Sequence, residues 1–132
     1  MLGMVGCTPV ISKATRQSCV QTSTFGAEIT ALKMTIENVL ELRYFLRSMG
    51  VLVNGATPIF VDNEGVVLNT INPASPLNKK ALALAYHFAR EHQHGKVISI
   101  RKIDTNDNYA DAMTKPLNRT KHHAFFGELM CN

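Results

Sequence analysis

ATPIFVDNEGVVLNTI, residues 56–71, reads as two elements joined at a single point. Ile59, Phe60 and Val61 are consecutive large apolar side chains of types that suit a pleated strand, in a run too short to be a helix. Asp62-Asn63 ends the run, and Asn63 is a residue type whose side chain accepts from the free N–H groups that open a helix. A brief helix is predicted after it, stopping before Pro73, whose ring cannot continue one. A strand that passes directly into a helix is the unit from which α/β sheets are assembled.

Upstream lies GAEITALKMTIENVLELRYFLRSMG, residues 26–50. Ile29, Leu32, Ile36, Val39, Leu40 and Leu46 recur at three- and four-residue steps, which predicts a helix with one apolar stripe, and Gly50 stands where a helix C-cap belongs. Residues 1–24 show no helical period. The short apolar runs MLGMVG and PVIS predict a hairpin with a first turn near Cys7-Thr8-Pro9 and a second bend around 13–16. Downstream, Ser75-Pro76 is an N-cap followed by proline in the first helical position, opening a helix over about 76–94. KVISIRKI is a strand with cationic side chains interleaved. Asn106 or Asp107 is expected to cap a short helix that holds Asp111 and ends at Pro116, and a last helix covers about 118–130. Without repeats or low-complexity tracts, this order predicts one α/β domain over residues 1–132, a mixed sheet flanked by helices.

The bulk composition narrows the function classes. A chain of 132 residues with 45% hydrophobic and 18% charged residues is globular in character, not disordered. Its net charge of +4 permits a phosphate-bearing partner without requiring one. Cys7, Cys19 and Cys131 are odd in number, far apart and in no CxxC pair, which points to reduced thiols and an intracellular setting, cytoplasmic or nuclear. No apolar run reaches the length that spans a bilayer, so no membrane partner is expected. The N-terminal residues also lack the charged region of a signal peptide.

Three carboxylates occupy informative addresses. Glu28 lies near the start of the long helix and, at about 100° per residue, on the side of Leu32, Thr35, Val39 and Leu46. Its plain reading is a favourable interaction with the positive end of the helix dipole. Asp62 ends the strand PIFVD, where open α/β sheets place their ligand sites, though an Asp there can also help to cap the next helix. Asp111 is set between Ala110 and Ala112, and its plain reading is a solvated pair with Lys115. His87, His92 and His94 form a competing cluster, but His87 and His92 are off-register for one helical face and no cysteine or carboxylate completes a zinc set.

Four stretches together resemble a known family, in that family's order: TSTFGAEITAL, IFVDNEGVV, YHFAREHQHGKVISIRKIDTNDNYADAMTKPL, and a helix that ends the chain. The ADAMTKPL stretch resembles the Ala-Asp-x-x-Thr-Lys-Pro-Leu signature of the ribonuclease H domain in copia-type LTR retrotransposon polyproteins. The resemblance implies a ribonuclease H-like sheet and hydrolysis of the RNA strand of RNA–DNA hybrids. It implies that Glu28, Asp62 and Asp111 are catalytic carboxylates that hold two Mg²⁺ ions, with Mn²⁺ as a substitute. Mg²⁺ prefers hard oxygen ligands, which accounts for carboxylates in those places, and small neighbours leave Asp111 room to face the sheet. The implied partners are a hybrid or another nucleic acid, and the reverse transcriptase region that precedes this domain in such polyproteins. Arg101, Lys102, Lys115, Arg119 and Lys121, towards the C-terminal third, are the expected phosphate contacts.

Departures from the family pattern shape the expectation. The family's first, central strand carries its first catalytic Asp. That strand has no counterpart in these 132 residues, and no residue before Glu28 is acidic. Ala81, Ala83 and Ala85 stand where the family typically has polar residues, and Phe25-Gly26 replaces its usual Thr-Glu. The expected function is thus that of a ribonuclease H piece, inactive as an isolated chain. The alternative is a non-catalytic transposon-derived protein that binds nucleic acid or protein.

Overall fold

The computed structural model describes residues 1–6, 8–14, 24–72, 82–110, 116, 118–120, 122–123 and 127. The chain forms two compact units, one of residues 18–103 and one of residues 1–17 with 104–132.

The larger unit is built on the strand–helix junction. Strand β3 covers Thr57–Val61 and helix α2 covers Glu64–Ile71. The Asn63 side chain accepts from the Val66 N–H at 3.2 Å, as the sequence predicts for a cap at that position. Strand β4, Ile98–Lys102, pairs in parallel with β3, with Ile59 beside Ile100 and Val61 beside Lys102. The Thr57 N–H donates to the Val97 carbonyl and the Ile103 N–H to the Val61 carbonyl. In a parallel ladder these end bonds turn Thr57, Ile59 and Val61 towards β4, and Pro58 and Phe60 away from it. Proline is tolerated at position 58 because the N–H it lacks would face away from β4.

Helix α1 spans Thr24–Ser48 and buries Gly26, Ile29, Leu32 and Ile36. Helix α3 covers Ala83–His94 and buries Tyr86 and Ala89. These side chains join Ile59, Val61, Val66, Val67, Leu82, Ile98 and Ile100 in one core, so the helices pack on the sheet face carrying Ile59 and Ile100. The opposite face presents Pro58, Phe60 and Arg101, all exposed.

Both long helices end in the same backbone device. After α1, the Val51 N–H returns to the Leu46 carbonyl and the Gly50 N–H to the Arg47 carbonyl, with Gly50 at φ +80. This is a Schellman motif with glycine in the left-handed position, as the sequence predicts. After α3, the Val97 N–H returns to the His92 carbonyl and the Lys96 N–H to the Gln93 carbonyl. Here Lys96, at φ 54, takes the left-handed position although Gly95 stands next to it. The predicted opening of α3 at Ser75-Pro76 lies outside the described residues.

In the smaller unit, β1 (Leu2–Val5) and β2 (Thr8–Ser12) form the predicted antiparallel hairpin. Gly6, at φ +61, occupies the turn. Among the described residues the strands therefore form two separate two-stranded sheets, one antiparallel and one parallel, not a single mixed sheet. The α/β class holds. Of the helix expected to hold Asp111, residues 111–115 lie outside the described residues; ahead of them, Thr105–Asp107 is a 3₁₀ turn capped by Asp104, whose carboxylate accepts from the Asn106 N–H at 2.8 Å. Asn108 then accepts from the Ala110 N–H at 3.2 Å. A side chain that bonds two residues ahead favours such tight turns, and this stretch offers Asp104 and Asn108 in turn. Residues 119–120, 122–123 and 127 are helical, within the predicted last helix.

Candidate functional site

Asp62 directly follows the last residue of β3, at the carboxyl end of a parallel strand. The capping reading offered by the sequence fails for this residue, because Asn63 accepts the Val66 N–H. Asp62 is half-buried, and among the described residues its carboxylate takes part in no hydrogen bond or ion pair. A carboxylate at a strand end that neither caps nor pairs is available to a ligand.

Glu28 is half-buried on α1. The helix begins at Thr24, so Glu28 lies beyond its first turn, which carries no acidic residue. The dipole interaction falls off within that turn, so it accounts for Glu28 less well than the sequence suggests. At about 100° per residue Glu28 sits roughly 40° from Leu32 and 80–100° from Ile36 and Ile29, on the shoulder of the buried stripe. Asp111, Lys115 and Lys121 lie outside the described residues. Among the described residues, no group of three or more His, Cys, Asp or Glu side chains is placed to hold a metal ion. Glu28 and Asp62 suit Mg²⁺ in donor chemistry, both being hard oxygen ligands.

The cations expected to meet phosphate divide by strand geometry. Lys102 shares its face of β4 with Ile98 and Ile100, and there its ammonium reaches the Glu64 carboxylate, 3.4 Å away, at the start of α2. Both partners are largely exposed, so the pair contributes little to stability. Arg101 emerges on the other face, with its Nε 3.4 Å from the Ser99 hydroxyl and its Cα in register with Phe60. The two neighbours therefore cannot form one phosphate patch. The Lys102–Glu64 pair was invisible in the sequence, because its members are 38 residues apart. Arg119 is exposed in the smaller unit.

Two further side chains escaped sequence reading. Arg43 donates to the Gly55 carbonyl at 3.0 Å and to the Thr57 hydroxyl at 2.7 Å, tying α1 to the start of β3. Burial, and secondarily the neighbouring Arg47, lower its pKa. Gln93 accepts from the Ile100 N–H at 2.7 Å. Of the clustered histidines, His92 places Nδ1 2.8 Å from the Phe88 carbonyl, while His87 packs edge-on against Tyr86. Among the described residues no helix is long and apolar enough to cross a membrane.

No protein-family model matches the chain, and no solved structure matches it either. Curated relatives do. The retrovirus-related Pol polyprotein from transposon RE1 of Arabidopsis thaliana is 26% identical over 92% of the chain. Its counterpart from transposon RE2 is 27% identical over 89%. The retrovirus-related Pol polyprotein from transposon TNT 1-94 of Nicotiana tabacum is 30% identical over 80%. The chain spans 8% of the length of each. Over most of its own length, then, the chain is similar to retrovirus-related Pol polyproteins of transposons.

Proposed function

We propose that the chain is a ribonuclease H-like region of a retrotransposon Pol polyprotein, in which Glu28, Asp62 and Asp111 are carboxylates of a nuclease site acting on RNA–DNA hybrids. The observation that carries this reading is Asp62: a carboxylate at the end of a parallel strand, relieved of capping by Asn63 and held by no other described residue. The similarity to Pol polyproteins over most of the chain supports the same reading.

Within it, β3 fixes the depth of Asp62 and α1 presents Glu28 from the shoulder of its buried face, while Asp111 enters through the resemblance of ADAMTKPL to the family signature. Two Mg²⁺ ions, when bound, would supply the charge that stabilises an attacking water and a leaving oxygen. Arg101 and Arg119, with Lys115 and Lys121, serve as phosphate contacts. Lys102 is set apart from them by its pairing with Glu64.

The family that the chain resembles carries a further catalytic Asp ahead of the position of Glu28, and residues 1–27 hold no acidic residue. Loss of one central electrostatic group typically costs about 10²–10³ in rate. The 132 residues alone are therefore expected not to cleave hybrids at a useful rate, and the nuclease reading applies to the polyprotein. The test is a hybrid-cleavage assay with Mg²⁺ and with Mn²⁺, on this chain and on one extended by an upstream Asp-bearing strand. Metal-dependent cleavage by the extended chain alone, abolished by Asp62→Asn, is the expected result. Extended protein that folds yet leaves hybrids intact would overturn the nuclease reading and favour a non-catalytic binding role.

A further inference from the structure

We propose that Gln93 guards the outer edge of β4 against a strand from a second copy of this chain. The ladder bonds at either end of the β3–β4 pair turn Val97 and Ile103 towards β3, so by alternation Ile98, Ile100 and Lys102 direct their backbone groups outward. An outward row of N–H and C=O groups is a template on which another chain can add a strand. The middle N–H of that row, Ile100, belongs to a residue only 3% exposed. The Gln93 side-chain oxygen accepts from it at 2.7 Å.

Gln93 can do this because the chain reverses sharply after α3. The Schellman bonds that place Lys96 in the left-handed region carry β4 back past the last turn of the helix, and residue 93 faces residue 100 across the bend. The acceptor occupies the position that a partner strand's carbonyl would need. Lys102 at the far end of the row adds a charged side chain, a second feature unfavourable to an incoming strand. Among the described residues no strand other than β3 pairs with β4. The arrangement thus leaves the helix-covered sheet intact while engaging the middle donor of the outer row of β4.

The test compares Gln93→Leu, which keeps a branched side chain but loses the acceptor, with Gln93→Glu, which keeps an acceptor oxygen. Two readouts are taken on the full chain: amide exchange at Ile100, and sedimentation over a wide concentration range. The Leu variant should exchange faster at Ile100, on the order of threefold to tenfold, and should self-associate as concentration rises. The Glu variant should keep slow exchange and remain monomeric with the unsubstituted chain. A Leu variant that stays monomeric, or Leu and Glu variants that self-associate equally, would overturn the proposal. Should the Leu variant fail to fold, Ile100 in the unsubstituted chain decides the matter: exchange as fast as that of free exposed amides removes the guard.

Discussion

Asp62 and Asn63 are adjacent polar residues with separate duties, and each duty has its own measurable consequence. Asn63 satisfies an N–H at the start of α2, so Asn63→Ala should destabilise the chain by about 0.5–2 kcal/mol. Asp62 holds no described neighbour, so Asp62→Asn should leave stability within about 0.5 kcal/mol. Urea denaturation of the two variants separates these outcomes, and a large loss from Asp62→Asn would assign that carboxylate a structural role. The sequence made the cap legible, because Asn before a helix is a local signal. It could not decide between Asn63 and Asp62 as the capping residue, since both types cap well and only the backbone path selects one. Asp104 and Asn108 show the same limit: any of several Asp and Asn residues could have capped that stretch, and the turn geometry selected these two.

At the scale of elements, periodicity identified α1 well because its buried residues are neighbours along one helix. Ile29, Leu32 and Ile36 were named from spacing and are all buried. What spacing misses is contact between distant segments. The parallel register of β3 with β4 was not written in either strand, and with it came the separation of Arg101 and Lys102 onto opposite faces. The end of α3 at His94 agrees with the predicted bound of about 94, but its cap was not legible: Gly95 stands beside the left-handed position, yet Lys96 occupies it. A non-glycine residue there costs about 1–2 kcal/mol, partly offset by the freedom that glycine brings to the unfolded chain. Lys96→Gly should therefore stabilise the protein by about 0.5–1 kcal/mol, seen as a higher urea midpoint with an unchanged slope. A lower midpoint would show that the Lys96 side chain makes a contact worth more than its backbone costs.

For the whole molecule, the α/β class followed from the alternation of strands and helices, whereas whether carboxylates meet cannot be read from spacing, since convergence depends on how the chain returns on itself. Nucleic-acid binding, where it occurs, should rest on scattered exposed cations and so be insensitive to sequence. With about four phosphate contacts, affinity for a hybrid should fall roughly 150-fold between about 50 and 200 mM salt. Fluorescence anisotropy on hybrids of unrelated sequence checks this, and a salt-independent, sequence-selective affinity would contradict it. The central claim is that Glu28, Asp62 and Asp111 meet at one site. Mn²⁺ titration of the labelled chain, followed by paramagnetic broadening of side-chain and backbone signals, measures it most directly. The account predicts that signals of all three residues broaden together at the same substoichiometric Mn²⁺, and that Asp62→Asn weakens the effect at the other two. Broadening at Asp62 with Glu28 or Asp111 left sharp would contradict the claim of a shared site.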